Sequence, residues 1–89
     1  MDQKIALITG GTSGIGLEVV KGLLKENYKL LVVGRNKNNI DEINKEIDIN
    51  NKIIFFYCDL SETDQIKKLL IKLKNYNKID LLINNAGAL

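Results

Sequence analysis

A chain of 89 residues with net charge +2, 45% hydrophobic and 27% charged residues has the composition of one small globular domain. The charges are spread along the chain, and no apolar run approaches the ~20 residues of a membrane-spanning helix, so neither nucleic acid nor membrane is an expected partner. Histidine is absent and Cys58 is the only cysteine, which excludes His-based catalysis, most zinc sites and an internal disulfide. A lone thiol suits a reducing cytoplasm, the opening MDQKIALITG leads us to expect no signal peptide, and Cys58 itself reads as a small buried residue at a strand end.

The first element is KIALIT, Lys4–Thr9, an apolar run without polar alternation, as in a strand buried on both faces. Gly16, Val20, Leu23 and Leu24 follow at helical spacing, widened by Leu17 and Val19, with Lys21, Lys25 and Glu26 on the opposite side. Gly22 lies inside this helix, at a cost of about 1 kcal/mol relative to alanine; a close helix–sheet contact would explain it, with a neutral accident as the alternative. KLLVVGR is a second buried strand, and Ile40, Ile43 and Ile47 then mark a second helix. KIIFFYCD is a third strand. Ser61 is placed to cap the next helix with Asp64 three residues on, and Ile66, Leu69, Leu70 and Leu73 form its apolar stripe. IDLLINN is a fourth strand. The order β-α-β-α-β-α-β with short connections predicts an α/β fold: a Rossmann-type, doubly wound parallel sheet, with residues 1–89 as one unit.

Between the first strand and the first helix stands TGGTSGIG. A helix N-terminus leaves backbone N–H groups unpaired and carries partial positive charge, and glycine lets a phosphate approach the backbone. The loop is therefore a candidate cradle for a dinucleotide pyrophosphate over the helix start at Ile15. A Walker-type loop is excluded, because Leu17 and Glu18 stand where a lysine and a hydroxyl residue are needed. A glycine-rich turn that binds nothing is the alternative.

Thr9, Gly10, Gly14, Ile15 and Gly16 in the spacing T-G-x-x-x-G-I-G, Asp59-Leu60 after the third strand, and Asn84-Asn85-Ala86-Gly87 after the fourth resemble the motifs of the short-chain dehydrogenase/reductase family, in order and each at the matching strand end. The resemblance spans nearly the whole chain. It implies a nicotinamide dinucleotide held by those residues, with Asp59 accepting from the adenine amino group, Leu60 beside the ring, and Asn84 and Asn85 bracing the sheet and touching the cofactor ribose; an N-cap or turn role beside Ser61 is the alternative for Asp59. Thr12 and Ser13 can bond phosphate or ribose oxygens, or serve only as turn residues. The second strand ends in Gly34-Arg35-Asn36, where a carboxylate would have selected the 2′-hydroxyl of NAD. Arg35, the only arginine, can instead pair with a 2′-phosphate, helped by Asn36, so NADP is expected before NAD.

The family's reaction moves a hydride between nicotinamide and a carbonyl or alcohol carbon, with a tyrosine and lysine in Y-x-x-x-K, a serine and an asparagine. Here Tyr28, Tyr57 and Tyr76 are followed four residues later by Val32, Ser61 and Asp80, so no such pair exists and no catalytic residue is assigned. The resemblance places those residues beyond the N-N-A-G motif. The chain is thus expected to be the N-terminal, cofactor-binding part of a cytoplasmic NADP-dependent reductase whose full-length form acts on a small carbonyl or alcohol and forms homo-oligomers. A stand-alone, non-catalytic dinucleotide-binding module is the alternative; it would leave IDLLIN as an unpaired apolar edge.

Overall fold

The computed structural model describes residues 3–10, 14–35 and 52–84. In chain order the elements are β1 (Lys4–Thr9), α1 (Gly14–Leu23), β2 (Tyr28–Gly34), β3 (Ile53–Tyr57), α2 (Thr63–Leu73) and β4 (Leu81–Asn84). The expected helix of Ile40, Ile43 and Ile47 lies outside the described residues.

The strands form one sheet in the order β3-β2-β1-β4, and every neighbouring pair is parallel. The chain steps outward from β1 to β2 to β3, then returns across the sheet to β4 on the other side of β1. Parallel crossovers are right-handed, so steps in opposite directions carry their helices to opposite faces. The core divides accordingly. Ala6, Ile8, Leu30, Val32 and Ile53 form one face with Val20 of α1. Leu31, Val33, Phe56 and Cys58 form the other with Leu69 of α2, joined by Ile66, Leu73 and Tyr76. Strand β2 lies between two strands and under both layers, and from Leu30 to Gly34 it is buried without a break. Its unbroken apolar run is the consequence, since both sides of the pleat face core.

Three expectations change. Ser61 does not cap α2. The N-cap is Glu62, which makes no side-chain cap bond, while the Ser61 hydroxyl turns back to Asp59. Gly22 is not a close helix–sheet contact, because a methyl group placed there would meet nothing within 4 Å. Leu70 leaves the apolar stripe at 54% exposure. Ile66, Leu69, Leu73 and Tyr76 fall at spacings of three and four and complete the buried line, leaving Leu70 on its flank.

The entry of β4 is fixed by Asp80. Its backbone N–H donates to the Ile5 carbonyl at 2.8 Å, and its Oδ2 accepts from the Ile5 N–H at 2.7 Å. The strand register then runs Ala6–Leu81 through Thr9–Asn84.

Candidate cofactor-binding site

Because all four strands run the same way, their carboxyl ends lie side by side. They present Asp59, Arg35, Gly10 and Asn84 in the order of the strands that carry them. The strand order reverses at β1, which ends at Gly10, and doubly wound sheets bind ligands in the crevice outside the carboxyl ends of their strands at such a point.

Gly10 ends β1 with φ of 71°, a left-handed conformation that costs a residue with a side chain about 1–2 kcal/mol. Its N–H donates to the Val33 carbonyl at 2.9 Å, which ties the loop to β2. Helix α1 begins at Gly14, so its unpaired N–H groups face the crevice end of the sheet. Ile15 in that first turn is 77% exposed, and Gly16 behind it is buried. The first turn holds no acidic residue that would oppose an anion.

On β4, Asn84 Oδ1 accepts from the Thr9 hydroxyl at 2.8 Å, which joins the two motif-bearing strand ends. Arg35 follows β2 directly and is exposed. Its charge helps to hold the Asp59 carboxyl below the ordinary range, although the larger causes are two hydrogen bonds from Ser61. These come from the Ser61 hydroxyl at 2.7 Å and the Ser61 N–H at 3.0 Å, both to Asp59 Oδ1. The Asp59 N–H donates to Gln65 Oε1 at 2.7 Å, and the Asp59 carbonyl accepts from the Glu62 N–H at 3.0 Å. Leu60, 38% exposed, stands beside this turn. The Cys58 thiol is buried; burial first, and the Asp59 charge second, raise its pKa, which suits a packing residue and not a nucleophile.

Thr9, Gly10, Gly14, Ile15, Gly16, Arg35, Asp59, Leu60 and Asn84 are thus all at the crevice end of the fold. Thr12, Ser13, Asn36, Asn85, Ala86 and Gly87 lie outside the described residues. Two residues absent from the sequence-based set, Ser61 and Gln65, hold Asp59. Asp-Leu-Ser is a recognisable pattern for a side-chain turn, but the Gln65 contact depends on how α2 docks and leaves no local signal.

Residues 4–89 match the family described as short chain dehydrogenase. The chain belongs to that family. An uncharacterized oxidoreductase of Bacillus subtilis, YvrD, is 34% identical over 98% of this chain and 33% of its own length. Among solved structures, a variant of actinorhodin polyketide ketoreductase with NADPH matches with a TM-score of 0.83 and 34% identity, over 97% of this chain and 34% of that one. A 3-ketoacyl-(acyl-carrier-protein) reductase from Brucella melitensis complexed with NADH matches with a TM-score of 0.73 and 29% identity, over 89% of this chain and 32% of that one. This short-chain dehydrogenase chain therefore spans about a third of the length of these relatives. Its parallel sheet is the Rossmann-type fold expected for the family. Among the described residues no helix is long and apolar enough to cross a membrane.

Proposed function

We propose that this short-chain dehydrogenase chain binds NADP(H) and serves an oxidoreductase acting on a small carbonyl or alcohol. The observation that carries the cofactor choice is Arg35, exposed at the carboxyl end of β2. A carboxylate at that point would repel a 2′-phosphate; a guanidinium pairs with one through two parallel hydrogen bonds. A neighbour with NADPH and another with NADH share this fold, so the choice rests on the side chain rather than on the sheet.

The remaining residues fit the rest of the dinucleotide. The left-handed Gly10 and the N-terminus of α1 receive the pyrophosphate, with Gly14, Ile15 and Gly16 at the contact and Thr12 and Ser13 offering hydroxyls. Asp59 accepts from the adenine amino group and Leu60 packs beside the ring. Asn84, with its Oδ1 engaged by Thr9, keeps its Nδ2 to donate toward the ribose, and Asn85, Ala86 and Gly87 complete its motif. When bound, NADPH supplies the hydride. The proton donor belongs to a tyrosine–lysine pair that this sequence does not contain, so we assign catalysis to a longer, full-length protein, cytoplasmic and homo-oligomeric.

Fluorescence titration with NADPH and NADH tests this reading. Wild type is expected to bind NADPH more tightly, and Arg35→Ala to weaken NADPH by about 10–100-fold while leaving NADH nearly unchanged. Equal affinities in wild type, or equal losses in the variant, would remove the NADP assignment. The intact mass of the native protein, well above that of 89 residues, together with carbonyl reduction by that protein, tests the enzyme assignment.

A further inference from the structure

Asp59 is held at nearly every polar atom. Its N–H is taken by Gln65 Oε1, its carbonyl by the Glu62 N–H, and its Oδ1 by both the N–H and the hydroxyl of Ser61. Among the described residues no hydrogen bond reaches its Oδ2. A carboxylate fixed in this way has one acceptor left, and its direction is set by the groups that occupy the others. Gln65 reaches Asp59 from the first turn of α2, a helix anchored on the sheet by Ile66 and Leu69, so the anchor is not a mobile surface group.

We infer that Ser61 and Gln65 are positioning residues that set the choice of nucleotide base. They aim Asp59 Oδ2 at a donor on the base, so that a purine bearing an amino group is accepted and its oxo counterpart is rejected. Adenine presents N–H donors to the carboxylate. Hypoxanthine presents an oxygen at the same place, leaving two acceptors facing each other without a proton between them. The selectivity depends on direction: if Asp59 is free to turn, Oδ1 or water can serve either base and the discrimination fades. This rests on the proposed seating of a dinucleotide at the crevice, and the test below separates the two.

The test is binding of NADPH and of its hypoxanthine analogue to the intact chain, with NADH as a third ligand. Wild type is expected to favour NADPH over the hypoxanthine analogue by about tenfold or more. Ser61→Ala and Gln65→Leu should each bring that ratio toward one, with the NADPH-to-NADH ratio unchanged, because Arg35 is untouched. A merely structural role would weaken all three ligands together and preserve both ratios. Ser61 is exposed, so Ser61→Ala decides the matter even if Gln65→Leu does not fold. If Asp59→Asn abolishes the base preference while Ser61→Ala and Gln65→Leu keep it at the wild-type value, the positioning role is overturned and the Asp59 contact stands. If Asp59→Asn leaves the preference unchanged, the Asp59–base contact is itself wrong, and the inference falls with it.

Discussion

Thr9 at the end of β1 and Asn84 at the end of β4 stand opposite one another in the parallel register, and the Thr9 hydroxyl donates to Asn84 Oδ1 at 2.8 Å. The two strands are far apart in sequence and flank the point where the strand order reverses. The bond therefore joins the two strand ends at that point and turns the Asn84 amide so that its Oδ1 faces Thr9 and its Nδ2 is left to donate. Thr9→Val keeps the shape and the β-branch and removes only the hydroxyl. It should cost about 0.5–1.5 kcal/mol in urea denaturation. NADPH affinity should fall several-fold, as the Asn84 side chain loses its fixed direction. A variant with unchanged affinity would mean that the bond serves the sheet alone.

Two glycines provide opposite outcomes for the same change. Gly10 has φ of 71°, so Gly10→Ala forces a side chain into the left-handed region and should destabilise by about 1–2 kcal/mol. It should also weaken NADPH, because the left-handed turn at the end of β1 is disturbed. Gly22 lies in the last turn of α1 with open space around it. There Gly22→Ala should stabilise by about 0.4–1 kcal/mol and leave NADPH affinity as it was. Thermal denaturation of both variants, with NADPH titration, checks the pair.

The difference between these glycines shows what was readable in the sequence. Gly10 belongs to a motif at a strand end, and its place in a turn follows from local spacing; Gly22 carries no such context, and only the structure shows that nothing approaches it. The strands were legible because burial on two faces leaves long apolar runs, and β1 begins and ends where its run does. Thr9, Arg35, Asp59 and Asn84 were legible because each follows or closes such a run. Ser61 was misread because Ser-x-x-Asp before an apolar stripe suits a helix cap as well as a side-chain turn, and Asp59 two residues upstream wins its hydroxyl. Leu70 was misread because spacings of three and four from Ile66 admit both Leu69 and Leu70, and only the docked helix shows that the buried line runs through Leu69, Leu73 and Tyr76. The contacts of Gln65 and Asp80 depend on tertiary docking, which no local pattern records.

Leu82 is 62% exposed on β4, the last strand of the described sheet, between the inward-facing Leu81 and Ile83. An apolar residue on an open edge strand is a site for self-association. Leu82→Lys should leave stability within about 0.5 kcal/mol, since the position contributes little burial. It should also lower concentration-dependent light scattering of the chain. Leu31→Ala, by contrast, removes a fully buried side chain from β2 and should cost about 2–5 kcal/mol.

Acid should loosen the entry of β4 before the rest of the sheet. Asp80 accepts from the Ile5 N–H at 2.7 Å, and that bond is the first cause of its lowered pKa, with the Lys78 and Lys4 charges adding to it. Lys78 Nζ lies 3.4 Å from Asp80 Oδ1. Asp59 is lowered in the same direction, chiefly by Ser61. A carboxyl whose folded pKa lies below its unfolded value, about 4 for aspartate, binds its proton more readily in the unfolded chain. Its contribution is therefore complete above about pH 4 and is lost as pH falls through the lower, folded pKa. Wild type should hold its thermal midpoint from neutral pH down to about pH 4, as far as these two groups determine it, and lose it steeply below. Asp80→Asn keeps a neutral acceptor for Ile5 and gives up the charge, so it should begin with a lower midpoint at pH 7 and show a shallower loss in acid. The two curves should converge once the pH has fallen below the folded pKa of Asp80, where both side chains are uncharged. Hydrogen exchange at the Ile5 amide follows the same clamp directly: its protection should fall with the acid limb in wild type, and in Asp80→Ala it should already be low at neutral pH.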